Sequence, residues 1–270
     1  MARDKNGEFK CLTGNQMGSL LLDYIFCALE EQGKMPSDAY AIKTIVTSEM
    51  ATKICEVHNV KLYNVLTGFK FIAEVIGEHE AKKEGTFLLG YEESYGYMKG
   101  QYSRDKDGVV ASMLICEMAA YYSLKGMTLI DAVESLYEKY GFYMENSAEI
   151  YMEGLDGKEK IAGLMDKLRA ETPEKLAGSR VVNIRDYLAE TSKNMLTGEV
   201  EGTGLPKSNV MYYKAENGCV VVARPSGTEP KIKFYILANG KNEEEAHNNT
   251  VDCTHTLEDM LGLAHDTLKN

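Results

Sequence analysis

The chain has 270 residues, 44% hydrophobic and 26% charged, with 41 acidic against 30 basic side chains and a net charge of −11. That length suggests about two domains, the composition is that of a globular protein with a real core, and the acidic balance argues against nonspecific nucleic-acid binding, which depends on neutralising phosphates. No apolar run approaches the roughly 18–20 residues of a membrane span, and the start "MARDKNGEFK" has no apolar leader core.

In chain order, "GNQMGSLLLDYIFCALEEQGK" predicts a helix with Leu20, Leu21, Tyr24, Ile25, Ala28 and Leu29 on one face and Gly33 at its end. "YAIKTIVTS" reads as a buried strand, and Ser48 is placed to cap the short helix "EMATKICEVHN". "VKLYNVLTG" is a second strand, "FKFIAEVIGEHEAKK" a second amphipathic helix and "GTFLLGYEES" a third strand. A long helix from about Asp107 and another over "TLIDAVESLYEKYG" complete a block of alternating strands and helices, which implies a layered α/β domain.

After Gly141 the rhythm changes. A strand at about Ala148–Met152 precedes the helix "GKEKIAGLMDKLRAE", and the strands "SRVVNIRDY", "NVMYYKA", "CVVVARP" and "KIKFYILA" follow. "AENG" reads as a hairpin turn with Asn217-Gly218 suited to positive φ. A closing helix runs from about Asn242 to Leu263. Strands in succession with helices at the ends imply a separate α+β domain. The expected boundary lies near Tyr143, giving domains 1–143 and 144–270.

The segment "ARPSGTEPKIKFY" carries the clearest chemistry. Ile232, Phe234 and Ile236 alternate with Lys231, Lys233 and Tyr235, so one face is expected to be core and the other to carry cations. The turn before it offers a rigid charged fork in Arg224, hydroxyls in Ser226 and Thr228, and a bare backbone at Gly227. Such a turn suits a phosphate, through a nest of N–H groups and charge-assisted donors. The plainer reading is a tight turn held by two prolines, with solvated lysines beside it, and Glu229 is an objection to an anion site. "EGTGLPKS", Glu201 to Ser208, lacks the spacing of a nucleotide-binding loop and reads as a mobile loop.

Three further stretches stand at strand ends or helix starts. In "GYEESYGY", Glu92 and Ser94 point the same way along an extended chain, and a carboxylate beside a hydroxyl suits sugar hydroxyls. In "SRDKDGVV", Arg104 and Lys106 precede a helix that Asp107 can cap, a natural anion position or else a solvated charge run. "VLTGFKF" puts Thr67, Gly68 and Lys70 at a strand-to-helix junction, where ligands of α/β sheets often bind. The six cysteines, Cys11, Cys27, Cys55, Cys116, Cys219 and Cys253, show no Cys-x-x-Cys spacing, and free thiols in a reducing cytosol are expected. None of the five histidines has ligand spacing with another.

"GYEES" and "RPSGTEP" in that order, with "GNQMGSLL", "LTGFKF" and "RDKDG" beside them, resemble the α-D-phosphohexomutases, the family of phosphoglucomutases and phosphomannomutases. The resemblance covers essentially the whole chain. It implies the family's third domain, a mixed α/β layered sheet, followed by its smaller fourth domain, an α+β fold similar to the TATA-box-binding protein. It implies that Glu92 and Ser94 hold sugar hydroxyls, with Thr67 and Gly68 as a substrate-adjacent turn. It implies that Arg224, Ser226, Gly227 and Thr228 bind the phosphate that is not transferred, with Lys231 beside them. Lys106 matches the family's lysine near the transferred group, an acid–base participant. Tyr91 between Gly90 and Glu92 departs slightly from the family spacing.

The family's Ser-His-Asn-Pro phosphoserine loop and D-x-D-G-D-R magnesium loop are absent from this sequence. The chain is therefore expected to be a piece comprising domains three and four, inactive alone, without metal ligands of its own. Mg²⁺ and glucose 1,6-bisphosphate are implied for the complete enzyme. The implied partners are a hexose phosphate and the missing first and second domains, with no nucleic acid and no membrane, in the cytoplasm. The implied reaction interconverts hexose 1-phosphate and hexose 6-phosphate through a bisphosphate. A phosphopentomutase or bisphosphate synthase of the same fold, and a stand-alone sugar-phosphate-binding module, are the alternatives.

Overall fold

The computed structural model describes residues 1–152, 154 and 156–268. The chain divides into two compact units, 1–141 and 142–270. The division follows the helix Leu129–Tyr140, where Gly141 at φ 99° turns the chain out of the helix.

The first unit contains β1 (Ala2–Arg3), β2 (Phe9–Lys10), α1 (Gly14–Glu31), β3 (Ala39–Thr44), α2 (Met50–Val57), β4 (Lys61–Val65), α3 (Phe69–Lys82), β5 (Thr86–Glu92), β6 (Gly96–Met98), α4 (Gly108–Leu124) and α5 (Leu129–Tyr140). Its four-stranded sheet has the order β4-β3-β5-β6, with β3 parallel to β4 and β5 and β6 antiparallel to β5. Every residue of β3 is buried, as expected of a strand covered on both faces. On one face Tyr40, Ile42, Phe87 and Met98 pack against Phe69, Ile72 and Ile76 of α3. Gly90 faces Ile72, so its neighbour Tyr91 points to the other face, where Gly18 of α1 leaves room for the ring.

Helix α1 differs from the one-faced helix expected. Leu20 to Phe26 are all buried, because α1 packs against α2, α4 and α5 as well as β5. Ser48 Oγ accepts from Met50 N–H at 3.2 Å, a cap on the first helical residue of α2. Asp107 caps α4 through Val109 and Val110 N–H, both at 3.0 Å. The β1–β2 hairpin and β6 have no counterpart in the sequence reading, since two or three residues carry no periodicity.

The second unit contains β7 (Phe142–Tyr151), α6 (Gly157–Ala170), β8 (Lys175–Leu176), β9 (Ser179–Asp186), β10 (Thr191–Asn194), β11 (Val200–Gly202), β12 (Met211–Ala215), β13 (Val220–Pro225), β14 (Lys231–Gly240) and α7 (Glu243–Leu261). The main path of its eight-stranded sheet is β11-β10-β9-β12-β13-β14-β7, antiparallel throughout, with β8 on β9. Tyr213, Val221, Ile232, Phe234 and Ile236 meet Met165 and Leu168 of α6 and Cys253 and Leu257 of α7 in one core.

Four details depart from the sequence reading. β7 starts at Phe142 rather than near Ala148, because all ten of its residues pair with β14, although Glu145, Asn146 and Ser147 break its apolar pattern. At the β12–β13 turn only Gly218 takes positive φ, and Asn217 instead uses its side-chain oxygen to accept from Cys219 N–H. Glu201 and Gly202, expected in a mobile loop, pair with β10 as part of β11. The face of β14 that carries Lys231 and Lys233 also carries Tyr235, which is buried rather than solvated.

Candidate functional site

Because β3, β4 and β5 are parallel, their carboxyl ends share one edge of the sheet, the usual ligand position in such folds. Gly68 follows β4 at φ 127°, a conformation that favours glycine, and is the N-cap of α3. Its N–H donates to Glu92 Oε1 at 2.7 Å. Glu92 ends β5 and is only 6% exposed, so this carboxylate is partly tied to the start of α3, where the helix dipole favours negative charge. A Cβ at Gly96 would collide with the Phe69 ring and reach 3.4 Å from Glu92 Oε2.

Lys106 stands beside this group, its ammonium 5.1 Å from the Phe69 ring centroid and 3.1 Å from Asp105 Oδ1. Its side chain is 60% exposed. Thr67 Oγ1 is buried and has no hydrogen-bond partner among the described residues, an uncommon state for a hydroxyl. The structure thus brings Thr67, Gly68, Glu92 and Lys106 together from three separate segments.

Ser94 is placed differently from expectation. The strand ends at Glu92, and residues 93–95 form the turn into β6 with Tyr95 at φ 63°. Strand alternation therefore does not relate Glu92 to Ser94, which is exposed on the turn. Arg104 is ion-paired with Glu80 of α3, and Asp107 occupies the first N–H groups of α4. The anion position expected at that helix start is filled from within.

Residues that the sequence reading passed over support this edge. A Cβ at Gly14 would strike the Glu93 carbonyl oxygen, Tyr97 OH donates to Gly14 O at 3.1 Å, and Tyr95 OH to Leu12 O at 3.2 Å. The 93–95 turn thus rests on the start of α1, whose Thr13–Gln16 capping box was the legible signal. Asn15 Oδ1 accepts from Ser48 N–H at 3.0 Å. Lys43, fully buried, donates to Thr47 O at 3.0 Å and pairs with Glu49 Oε1 at 2.9 Å, holding the loop after β3.

In the second unit, residues 226–230 join β13 to β14. Ser226 N–H donates to Lys231 O at 2.8 Å, closing the turn. Ser226 Oγ accepts from Thr228 and Glu229 N–H at 3.3 and 3.2 Å, so two N–H groups of the expected nest are satisfied internally. A Cβ at Gly227 would meet nothing within 4 Å. Arg224 is half-buried and has no ion pair among the described residues.

Lys231 has a different setting. It lies 3.0 Å from both Glu149 and Glu229 and 3.1 Å from Tyr151 OH, and Tyr151, Glu229 and Glu149 raise its pKa above the ordinary lysine value. Glu149, held by Lys231 and Lys233, is lowered to about 2. Lys231 is thus already neutralised, and Glu229 turns toward it rather than outward. Among the described residues around this turn, Arg224 is the cation without an ion pair.

The magnesium implied by the resemblance has no fitting ligand set here. Among the described residues the only grouping of three metal-ligating side chains is Asp23, Cys27 and His58, and a thiol and an imidazole do not suit that oxygen-seeking ion.

Residues 13–140 match the family described as phosphoglucomutase/phosphomannomutase, alpha/beta/alpha domain III. The phosphoglucomutase of Staphylococcus saprophyticus is 35% identical over 240 residues, 89% of this chain and 43% of the relative. That of Staphylococcus aureus strain USA300 is 36% identical over 243 residues, 90% of this chain and 43% of the relative. The chain thus spans less than half the length of these curated relatives. Among solved structures, pp63/parafusin of Paramecium in its open form superposes with a TM-score of 0.62 at 15% identity, over 98% of this chain and 43% of that one. A phosphoglucomutase/phosphomannomutase family protein of Burkholderia thailandensis gives 0.53 at 12% identity, over 93% and 42%. These two likenesses are of fold. No helix among the described residues is long and apolar enough to cross a membrane.

Proposed function

Because the chain belongs to the α-D-phosphohexomutase family, we propose that it is the sugar-phosphate-binding half of a cytoplasmic enzyme that interconverts hexose 1-phosphate and hexose 6-phosphate through a bisphosphate. The observation that supports this most is the meeting of Thr67, Gly68, Glu92 and Lys106 at the carboxyl edge of the parallel sheet. In this reading the Glu92 carboxylate and the Ser94 hydroxyl accept and donate to sugar hydroxyls, and Thr67 offers its unpartnered hydroxyl beside them. Lys106, the catalytic residue, gives and takes the proton of the sugar oxygen whose phosphate is exchanged. Arg224, Ser226, Gly227 and Thr228 hold the other phosphate, the guanidinium by charge and the turn by its hydroxyls and open backbone. Lys231 serves that turn through its ion pairs. The phosphoserine donor, Mg²⁺ and glucose 1,6-bisphosphate belong to the complete enzyme, and this chain alone gives no turnover.

Calorimetric titration of the chain with glucose 1,6-bisphosphate, beside Arg224→Ala, tests the reading. Loss of a charged hydrogen-bond partner removes about 1.5–3 kcal/mol, so the variant binds roughly ten- to a hundredfold more weakly. Equal affinities for the two proteins would remove Arg224 from the site. If neither binds, the titration is repeated on the full-length enzyme, and absence of binding there as well would overturn the reading.

A further inference from the structure

Three helices of the first unit meet at a polar cluster far from any sequence motif. Asp23 and Cys27 lie one turn apart on α1, and His58 is the C-cap of α2. Each offers one ligand atom, and these atoms all lie within 4.8 Å of one another. His58 Nε2 is 3.6 Å from Asp23 Oδ1, and Cys27 Sγ is 3.8 Å from Asp23 Oδ2. Tetrahedral zinc, with bonds of about 2.0–2.3 Å, needs ligand atoms roughly 3.3–3.8 Å apart. Sequence spacing marks none of the five histidines as a ligand. Tertiary packing instead buries the His58 side chain to 5% exposure and Asp23 to 9%.

The surroundings of His58 add a second observation. Its Nδ1 donates to Glu30 Oε1 at 2.8 Å, the carboxylate–imidazole arrangement that supports a metal-bound histidine. Its other nitrogen, Nε2, faces Tyr140 Oη at 3.1 Å and Asp23 Oδ1 at 3.6 Å. The Tyr140 hydrogen is itself given to Asp23. With its hydrogen on Nδ1, His58 presents Nε2 as a ligand atom beside the Asp23 carboxylate in a buried place. Lys139 meets Asp23 Oδ1 from the outside at 3.0 Å, with 43% of its side chain exposed. It can remain there or withdraw to solvent.

We propose that Asp23, Cys27 and His58 form a binding site for a zinc-class divalent cation that clamps α1 to α2. The ion is held by one Asp23 oxygen, the Cys27 thiolate and His58 Nε2, with water or Tyr140 Oη as the fourth donor. The thiol proton leaves to solvent on binding, and the two anionic ligands balance the charge of the ion. Mixed sulfur, nitrogen and oxygen donors select zinc or cobalt over magnesium or calcium. Since α1 supports the 93–95 turn at its other end, the clamp stabilises the scaffold of the sugar side without entering its chemistry.

The test uses metal ions alone on the full 270-residue chain. Zn²⁺ titration is expected to show one tight equivalent and a rise in Tm. Co²⁺ substitution is expected to give a near-ultraviolet thiolate-to-metal band. Cys27→Ser removes the band, and Glu30→Gln, which weakens the carboxylate bond to His58, lowers affinity roughly tenfold. The exposed Cys11 and Cys116 are the alternative thiols, so a band that persists in Cys27→Ser overturns the assignment. Absence of the band in the wild-type chain also overturns it, whether or not the variant folds, and leaves the cluster a hydrogen-bond network.

Discussion

The two candidate half-sites are built in opposite ways. The edge around Glu92 is assembled from segments remote in sequence, about a carboxylate that is only 6% exposed. The turn at residues 226–230 is local, exposed, and closed by bonds between near neighbours. A local turn can be recognised from its own residues, whereas an assembled edge depends on support that no short motif displays. The first should therefore be more sensitive than the second to changes outside its motif.

The sharpest way to break this contrast is at Lys43. It is fully buried and its ammonium has two acceptors. Lys43→Ala leaves a cavity and a carboxylate without its partner, although Glu49 keeps a bond to Thr52 and is 22% exposed. Breaking a buried pair costs about 3–5 kcal/mol, and this partial exposure places the expected loss near about 3 kcal/mol. Chemical denaturation followed by a first-unit tyrosine signal measures it. A loss below about 1 kcal/mol would show that the loop after β3 stands without the pair.

A pair of glycine variants sharpens the contrast directly. Gly14→Ala drives a Cβ into the Glu93 carbonyl oxygen, a backbone atom with no rotamer to yield. Overpacking of this kind costs about 1–3 kcal/mol and shifts the turn that carries Ser94. Gly227→Ala meets open space and its φ is not positive, so Tm is unchanged while affinity for a sugar phosphate falls. Equal thermal shifts in the two variants would contradict the contrast.

Much of the fold was legible, as for α4 from the Asp107 cap at its start and for α3 from its amphipathic pattern after Gly68. The start of β7 was not, because its polar middle is overridden by pairing with β14 along its whole length. For the site, Thr67, Gly68, Glu92 and Lys106 could be singled out as residues, but not the placement of Ser94, since strand alternation stops at Glu92 where the turn begins. Nor was the role of Lys231 visible. Its neutralising partner Glu149 lies on a strand placed beside it only by the sheet order.

Glu92 itself separates support from recognition. Glu92→Gln keeps an oxygen for Gly68 N–H, so the turn is retained and stability changes by less than about 1 kcal/mol. Glu92→Ala leaves that N–H unpaired and costs about 1–3 kcal/mol. Both variants lose affinity for sugar hydroxyls in the proposed reading. Hydrogen exchange at Gly68 follows the first effect and calorimetry the second. Unchanged exchange at Gly68 in Glu92→Ala would mean that the bond does not hold the turn.

The smallest expected effect lies on the other side of the comparison, at Glu149. Lys231 and then Lys233 lower its pKa to about 2 from a model-compound value of 4.5. A carboxylate lowered on folding binds fewer protons folded than unfolded, so its stabilisation is complete above the unfolded value. It is lost as pH falls from about 4.5 through about 2. The side chain is 28% exposed, and pairs open to water contribute about 1 kcal/mol at most. Glu149→Gln should therefore lower the stability of the second unit slightly at pH 7 and flatten its dependence between pH 5 and pH 2. Glu149→Gln also removes one negative charge beside Lys231, which keeps its pair with Glu229, so the same variant should bind phosphate more tightly if the 226–230 turn is an anion site. Weaker binding would mean that the ion pairs hold the turn in its binding shape, and that Lys231 acts by holding the strand end rather than by its charge.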